Sequence, residues 1–143
     1  MKKPSAANSA SKLPEELIFF LDRSLGKHIV AAALREAGEE VVIHDEQFQQ
    51  NTPDTEWLTA AGQNGWVVLT KDERIRYRIA ELAALRRANA RAFVLTARKD
   101  LSGPELAGIF VSALPRIRRL VAQQAPPFIA KIARDGTVAL LEN

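Results

Sequence analysis

Three aspartates stand at chain positions where side chains meet substrates. Asp22 closes the apolar run Leu17-Ile18-Phe19-Phe20-Leu21, Asp72 follows Trp66-Val67-Val68-Leu69-Thr70, and Asp54 comes just after Thr52-Pro53, where a helix begins. Only six of the 17 acidic residues are Asp, so three in such places form a pattern. In a parallel sheet, the strand carboxyl ends and the starts of the following helices share one edge, and ligands bind there. The three acids should therefore converge, although 32 and 18 residues separate them in sequence. Converging carboxylates repel, and burying them unpaired is costly. A shared proton, a basic partner or a hard divalent cation resolves the conflict. With oxygen ligands, no Cys and no paired His, the cation is Mg²⁺ or Mn²⁺ rather than zinc. Such a cation can orient a water and offset charge on a phosphate. Asp22→Asn or Asp72→Asn should then abolish activity and stabilise the metal-free fold by relieving repulsion.

Capping accounts for the same acids without chemistry. Each lies in or near a helix's first turn, where Asp is favoured by hydrogen bonding and the helix dipole. Thr70-Lys71-Asp72-Glu73 also matches a capping box. A capping acid, when lost, destabilises by about 0.5–2 kcal/mol, the opposite sign to relieved repulsion.

The basic residues are unevenly spread. Between Lys71 and Arg91 there are seven (Lys71, Arg74, Arg76, Arg78, Arg86, Arg87, Arg91) against Asp72, Glu73 and Glu81, a local charge of +4 where the whole chain carries +3. Arg74-Ile75-Arg76-Tyr77-Arg78 begins beside Asp72 with one aromatic ring interleaved. Arginines beside a cation-binding edge suit a phosphodiester backbone. Tyr77 either stacks on a base or packs its ring on the core, and core packing is the expectation.

The elements that must position these residues alternate strand and helix. Strands are expected at 17–21, 41–43, 66–70 and 91–95. Helices are expected from Ile29 to Gly38, from Thr52-Pro53-Asp54 to Gly62, through Ile75, Ile79, Leu82 and Leu85 to Ala88, and from Ser102 to Leu120 with a kink or split at Pro115. Phe128–Ala133 and Thr137–Leu141 flank Asp135-Gly136, a hairpin-turn pair. This order predicts an α/β fold with a mainly parallel central sheet and a C-terminal β-hairpin.

The 143 residues suit one domain, expected over 13–143 after a disordered tail at 1–12. The absence of cysteine excludes a disulfide framework, thiolate metal sites and cysteine nucleophiles. No apolar run is long enough for a membrane span, and the basic start MKKPSAANSASK lacks the apolar stretch of a secretory signal, so a cytoplasmic protein is expected. Neither GxGxxG, GxxxxGK[ST] nor GxSxG occurs. Ser24 and Ser102 lack a recognisable His partner, and His28, His44, Trp57 and Trp66 read as structural.

Phe19-Phe20-Leu21-Asp22-Arg23-Ser24-Leu25-Gly26, Asp54-Thr55-Glu56-Trp57-Leu58 and Gly65-Trp66-Val67-Val68-Leu69-Thr70-Lys71-Asp72 together resemble the PIN-like nuclease superfamily, and within it the VapC-like toxin group. The resemblance spans about residues 17 to 132, including Pro126-Pro127-Phe128. It implies a three-layer α/β/α sandwich and a metal-dependent endoribonuclease, the toxin of a toxin–antitoxin pair, cutting RNA with a metal-activated water. Asp22, Asp54 and Asp72 would be the catalytic Mg²⁺ or Mn²⁺ ligands. Arg23, Lys71, Arg74, Arg76 and Arg78 would hold RNA. Such sites usually carry a fourth acid, for which Asp45, Glu56 and Glu73 are the candidates and none fits a motif position. A cognate antitoxin and a homodimer are the implied partners.

Two other classes fit the same residues. A non-catalytic RNA- or protein-binding module would bind RNA with a steep salt dependence and never cut it. A receiver-like phosphoacceptor domain also needs acids ending strands one and three, but such domains carry adjacent acids where this chain has Asp22-Arg23.

Overall fold

The structure is a computed structural model that describes residues 17–97 and 100–142; the expected tail at 1–12 and the start at Leu13-Pro14 lie outside the described residues. The strands are β1 (Ile18–Leu21), β2 (Glu40–Ile43), β3 (Val67–Thr70), β4 (Arg91–Leu95), β5 (Phe128–Ile132) and β6 (Val138–Glu142). The helices are α1 (Ile29–Glu36), α2 (His44–Gln47), α3 (Asp54–Gln63), α4 (Ile79–Arg87) and α5 (Gly103–Gln123). All six strands form one sheet in the order β2-β1-β3-β4-β5-β6, parallel except for the antiparallel β5–β6 pair.

Strands buried on both faces need apolar residues in both directions, and β1 and β3 supply them. Phe19 and Leu21 enter a core shared with Leu34 of α1 and Phe110 of α5, while Phe20 enters a second core with Trp57 and Leu58 of α3 and Leu85 of α4. Helices thus cover both faces of the sheet, giving the expected three layers. From β1 the chain steps to β2 on one side and then crosses back to β3 on the other. The crevice outside the carboxyl ends of β1 and β3 lies at this reversal of strand order, where open α/β sheets bind ligands.

Three local expectations change. The helix foreseen over 75–88 is divided: Glu73–Arg76 form a 3-10 turn and α4 starts only at Ile79. The tighter turn shifts the phase of the apolar positions, so Ile75 is buried while Ile79 is 85% exposed. The capping box at 70–73 does not form, because the Thr70 hydroxyl accepts the Asp72 N–H rather than that of Glu73 and Asp72 itself caps the turn. Pro115 does not split α5, which runs unbroken over 21 residues. An interior proline costs roughly 3 kcal/mol. Burial of Leu106, Ile109, Phe110, Ala113 and Ile117 outweighs it, at about 1.5–3 kcal/mol for each large side chain.

The hairpin forms as expected, around the three-residue loop Arg134-Asp135-Gly136. The Ala133 N–H donates to the Thr137 carbonyl at 2.8 Å, and Asp135 Oδ1 accepts from the Thr137 N–H at 3.0 Å. Gly136 has φ +88°, and a Cβ there would come within 2.7 Å of Ser112 Oγ on α5, so glycine is required twice over.

Candidate functional site

Asp22, Asp54 and Asp72 line one cavity of about 270 Å³ together with Arg23, Ser24, Trp57 and Arg74. Three elements bring them there. β1 ends at Leu21, and Asp22 caps the 3-10 turn Arg23–Leu25 with a side-chain oxygen that accepts the Ser24 N–H at 2.7 Å. Two residues past β3, Asp72 caps the turn Glu73–Arg76 in the same way, accepting the Arg74 N–H at 3.1 Å. Asp54 is the first residue of α3; the cap position ahead of it is Pro53 rather than Thr52, with no side-chain cap. Capping and convergence therefore hold together for Asp22 and Asp72, which the sequence treats as alternatives.

The three carboxylates have different partners. Asp22 is only 7% exposed and sits in a cage of hydroxyls. Ser24 Oγ donates to its Oδ1, and Thr70 Oγ1 donates to its Oδ2 at 2.5 Å. With their protons committed to Asp22, the hydroxyl oxygens accept from the main chain: Thr70 Oγ1 from the Asp72 N–H at 3.0 Å, and Ser24 Oγ from the Lys71 N–H at 3.1 Å. Burial raises the Asp22 carboxyl above the usual 3.8, against the lowering pull of Ser24 and Thr70, and the negative charge of Asp72 adds to the rise.

Asp72 is held by a cation. The Arg74 side chain donates Nε to Oδ1 at 2.9 Å and Nη2 to Oδ2 at 3.1 Å, a two-bond fork. This fork holds the Asp72 carboxyl below its usual value. Asp54 Oδ1 accepts the Trp57 indole N–H at 2.9 Å and faces Arg23 Nη2 at 3.6 Å. Arg23 is braced in turn by the Gln50 carbonyl. Among the described residues, no group of three or more His, Asp or Glu side chains stands close enough to hold a metal ion. The acids share a cavity, and arginines face two of the three carboxylates.

The candidates for a fourth acid lie elsewhere. Asp45 pairs with His44 at 3.0 Å and Lys27 at 3.4 Å, and neither it, Glu56 nor Glu73 lines the cavity. Of the candidate RNA-binding residues, Arg23 and Arg74 line the cavity, whereas Lys71, Arg76 and Arg78 lie outside its wall. Arg78 pairs with Glu81 at 3.6 Å, and the Arg76 guanidinium lies 5.2 Å from the centre of the Tyr77 ring. Tyr77 is 66% exposed, so the expectation of a core-packed ring is corrected. The Arg-rich segment is also not one surface. α4 carries the chain from the carboxyl edge of β3 to the start of β4, so Arg86, Arg87 and Arg91 lie at the opposite edge.

Sequence reading missed three supports of the site: Ser24 and Thr70, which hold Asp22, and Trp57, which holds Asp54. In the sequence Ser24 reads as a nucleophile without a partner, Thr70 as a cap and Trp57 as structural. A hydroxyl two residues after a strand-ending Asp was the available signal. Trp57 is core as well, 2% exposed and stacked on Phe20 at 5.3 Å. His44 starts α2 and is fully buried against Phe20, Phe48 and Trp57, in keeping with a structural residue.

A sequence profile described as a PIN like domain matches residues 17–97, more than half of the chain and all three acids. The chain belongs to the PIN-like domain family. The α/β fold with its mainly parallel sheet and C-terminal hairpin agrees with that membership. A Mycobacterium tuberculosis protein named "Putative ribonuclease VapC45" is 29% identical over 126 residues, spanning 85% of this chain and 90% of the relative. No solved structure matches the chain at a significant level.

Proposed function

We propose that this PIN-like protein is a divalent-cation-dependent endoribonuclease and the toxin of a toxin–antitoxin pair. The observation that carries the reading is the single cavity at the β1/β3 carboxyl edge that gathers Asp22, Asp54 and Asp72 from three separate elements. The similarity to a relative named as a ribonuclease supports RNA as the substrate. The toxin role, a cognate antitoxin and a homodimer rest on the VapC-like signature in the sequence. No helix among the described residues is long and apolar enough to cross a membrane.

The chemistry of the donors fits Mg²⁺ or Mn²⁺, although the three acids do not stand close enough together here to hold an ion. Three carboxylates and no sulfur face one cavity, and two of them are already neutralised by guanidinium groups, as a cation would neutralise them. Asp22, Asp54 and Asp72 would hold the ion, which supplies charge stabilisation at the phosphate and a more acidic water. Asp22 is the fixed member, because Ser24 and Thr70 determine where both its oxygens point. Trp57 orients Asp54. Arg23 and Arg74, lining the wall, bind the RNA phosphates, and Tyr77 with Arg76 extends that surface outward.

Cleavage of structured RNA by wild type and Asp72→Asn, in Mg²⁺, Mn²⁺ and EDTA, tests the reading. Cutting by wild type with either cation, lost in EDTA and in the variant, is the expected result. RNA bound with a steep salt dependence but uncut in Mn²⁺ would favour the non-catalytic module instead.

A further inference from the structure

We propose that Arg74 is a built-in counter-cation, holding the site's carboxylates until a divalent cation displaces it and then turning to an RNA phosphate. The inference rests on the reading of the cavity as a cation-dependent nuclease site.

Arg74 spends three donors on one carboxylate: its backbone N–H at 3.1 Å, Nε at 2.9 Å and Nη2 at 3.1 Å all reach Asp72. The backbone bond fixes the Cα two residues from its acceptor, so the guanidinium returns to Asp72 by local geometry alone. Arg74 also lines the cavity that holds Asp22 and Asp54, so its guanidinium stands beside all three acids. That is the electrostatic work of a bound cation. In its absence the guanidinium offsets the repulsion that would otherwise drive the acids apart.

The contact is also built to release. The Arg74 side chain is 68% exposed, and an ion pair in that setting is weak. The Arg118–Glu39 pair between α5 and the loop joining α1 to β2 shows the alternative design, with side chains only 25% and 6% exposed. Such a pair is less accessible to a competing ion. An exposed fork on a cavity wall competes for its carboxylate with whatever else enters. A divalent ion carries twice the charge and can engage Asp22 and Asp54 as well, so it has the advantage. Once displaced, Arg74 remains tethered beside the cavity, with a planar fork that matches a phosphate as well as it matches a carboxylate.

The inference demands effects of opposite sign from one substitution. Arg74→Gln should bind Mn²⁺ about three- to ten-fold more tightly than wild type by calorimetry, since it removes the competitor. The same variant, saturated with Mn²⁺, should bind a 2′-O-methyl RNA oligonucleotide more weakly, with a salt slope lower by about one phosphate contact. Arg74→Lys keeps the charge without the fork and should fall between the two in both assays. Thermal melts in EDTA establish that both variants are folded. Mn²⁺ affinity unchanged or weakened in Arg74→Gln, with Asp72→Asn losing the ion, would overturn the inference and leave the nuclease reading standing. Unchanged RNA affinity would overturn its second half. Failure of wild type, Arg74→Gln and Asp72→Asn alike to bind Mn²⁺ would instead sink the underlying reading.

Discussion

Asp22 and Asp72 end neighbouring parallel strands, cap similar 3-10 turns and line the same cavity, yet they are held by opposite means. Asp22 is buried among neutral hydroxyls, and its charge is a burden that burial makes worse. Asp72 is partly exposed and clamped by a guanidinium that favours its charge. One acid is positioned and electrostatically unrelieved; the other is relieved and easily repositioned. On the proposed reading, Asp22 would define where the ion sits and Asp72 would be the ligand whose present partner can leave. Removing Asp22 is therefore expected to stabilise the metal-free fold, and removing Asp72 is not.

The largest effect is on chemistry and should not distinguish the two acids. Asp22→Asn and Asp72→Asn should each lower the RNA-cleavage rate in Mg²⁺ by about 10²-fold or more, since each removes a charge from the cation's ligand set. If Asp72→Asn retained most of the activity, Asp72 would be a cap and the comparison would collapse. Next is Thr70→Val, nearly the same in shape but without the hydroxyl that aims Asp22 Oδ2. Loss of such an outer partner should cost about 10–100-fold in cleavage. It should also destabilise the fold by about 1–3 kcal/mol, because a buried carboxylate oxygen loses its donor. Denaturant unfolding in EDTA measures the second quantity.

Stability without metal should separate the acids by sign. In EDTA at neutral pH, Asp22→Asn should raise stability, and Asp72→Asn should lower it by less than about 1 kcal/mol because its ion pair is solvent-screened. The pH windows differ too. The raised Asp22 carboxyl contributes stability that is fully present below the usual 3.8 and lost as pH rises through its higher folded value. The gap between Asp22→Asn and wild type should therefore be widest at neutral pH and close as pH falls toward 3.8. The lowered Asp72 carboxyl contributes stability present above 3.8 and lost as pH falls through its folded value. Its gap should persist to 3.8 and close only below. Melts at a series of pH values read both, and a common window for the two variants would refute the contrast. The smallest effect lies outside the cavity: Tyr77→Ala should leave stability within about 0.5 kcal/mol, the ring being exposed, while weakening RNA binding about five-fold.

Much of this was legible in the chain. Two-sided apolar runs ending in Asp22 and preceding Asp72 determine buried parallel strands, because only such strands can use apolar side chains in both directions. The chain's order of strands and helices then puts Asp22, Asp54 and Asp72 on one edge, a consequence of connectivity that needs no coordinates. The absence of cysteine determined the oxygen character of the site. The sequence could not say what each carboxylate touches, since those partners come from distant segments or from local turns whose winding depends on packing. Thr70 reaches Asp22 across 48 residues only because β3 lies beside β1. Tyr77 and Ile79 face solvent because the Asp72 cap tightened the turn ahead of α4. The +3 of the chain likewise conceals an acidic edge flanked by Arg23 and Arg74, with other arginines carried by α4 to the far side. Periodicity and residue type determined the sheet and the edge; burial and contact, which arise only when the layers close, decided which charge is caged and which is free to exchange its partner.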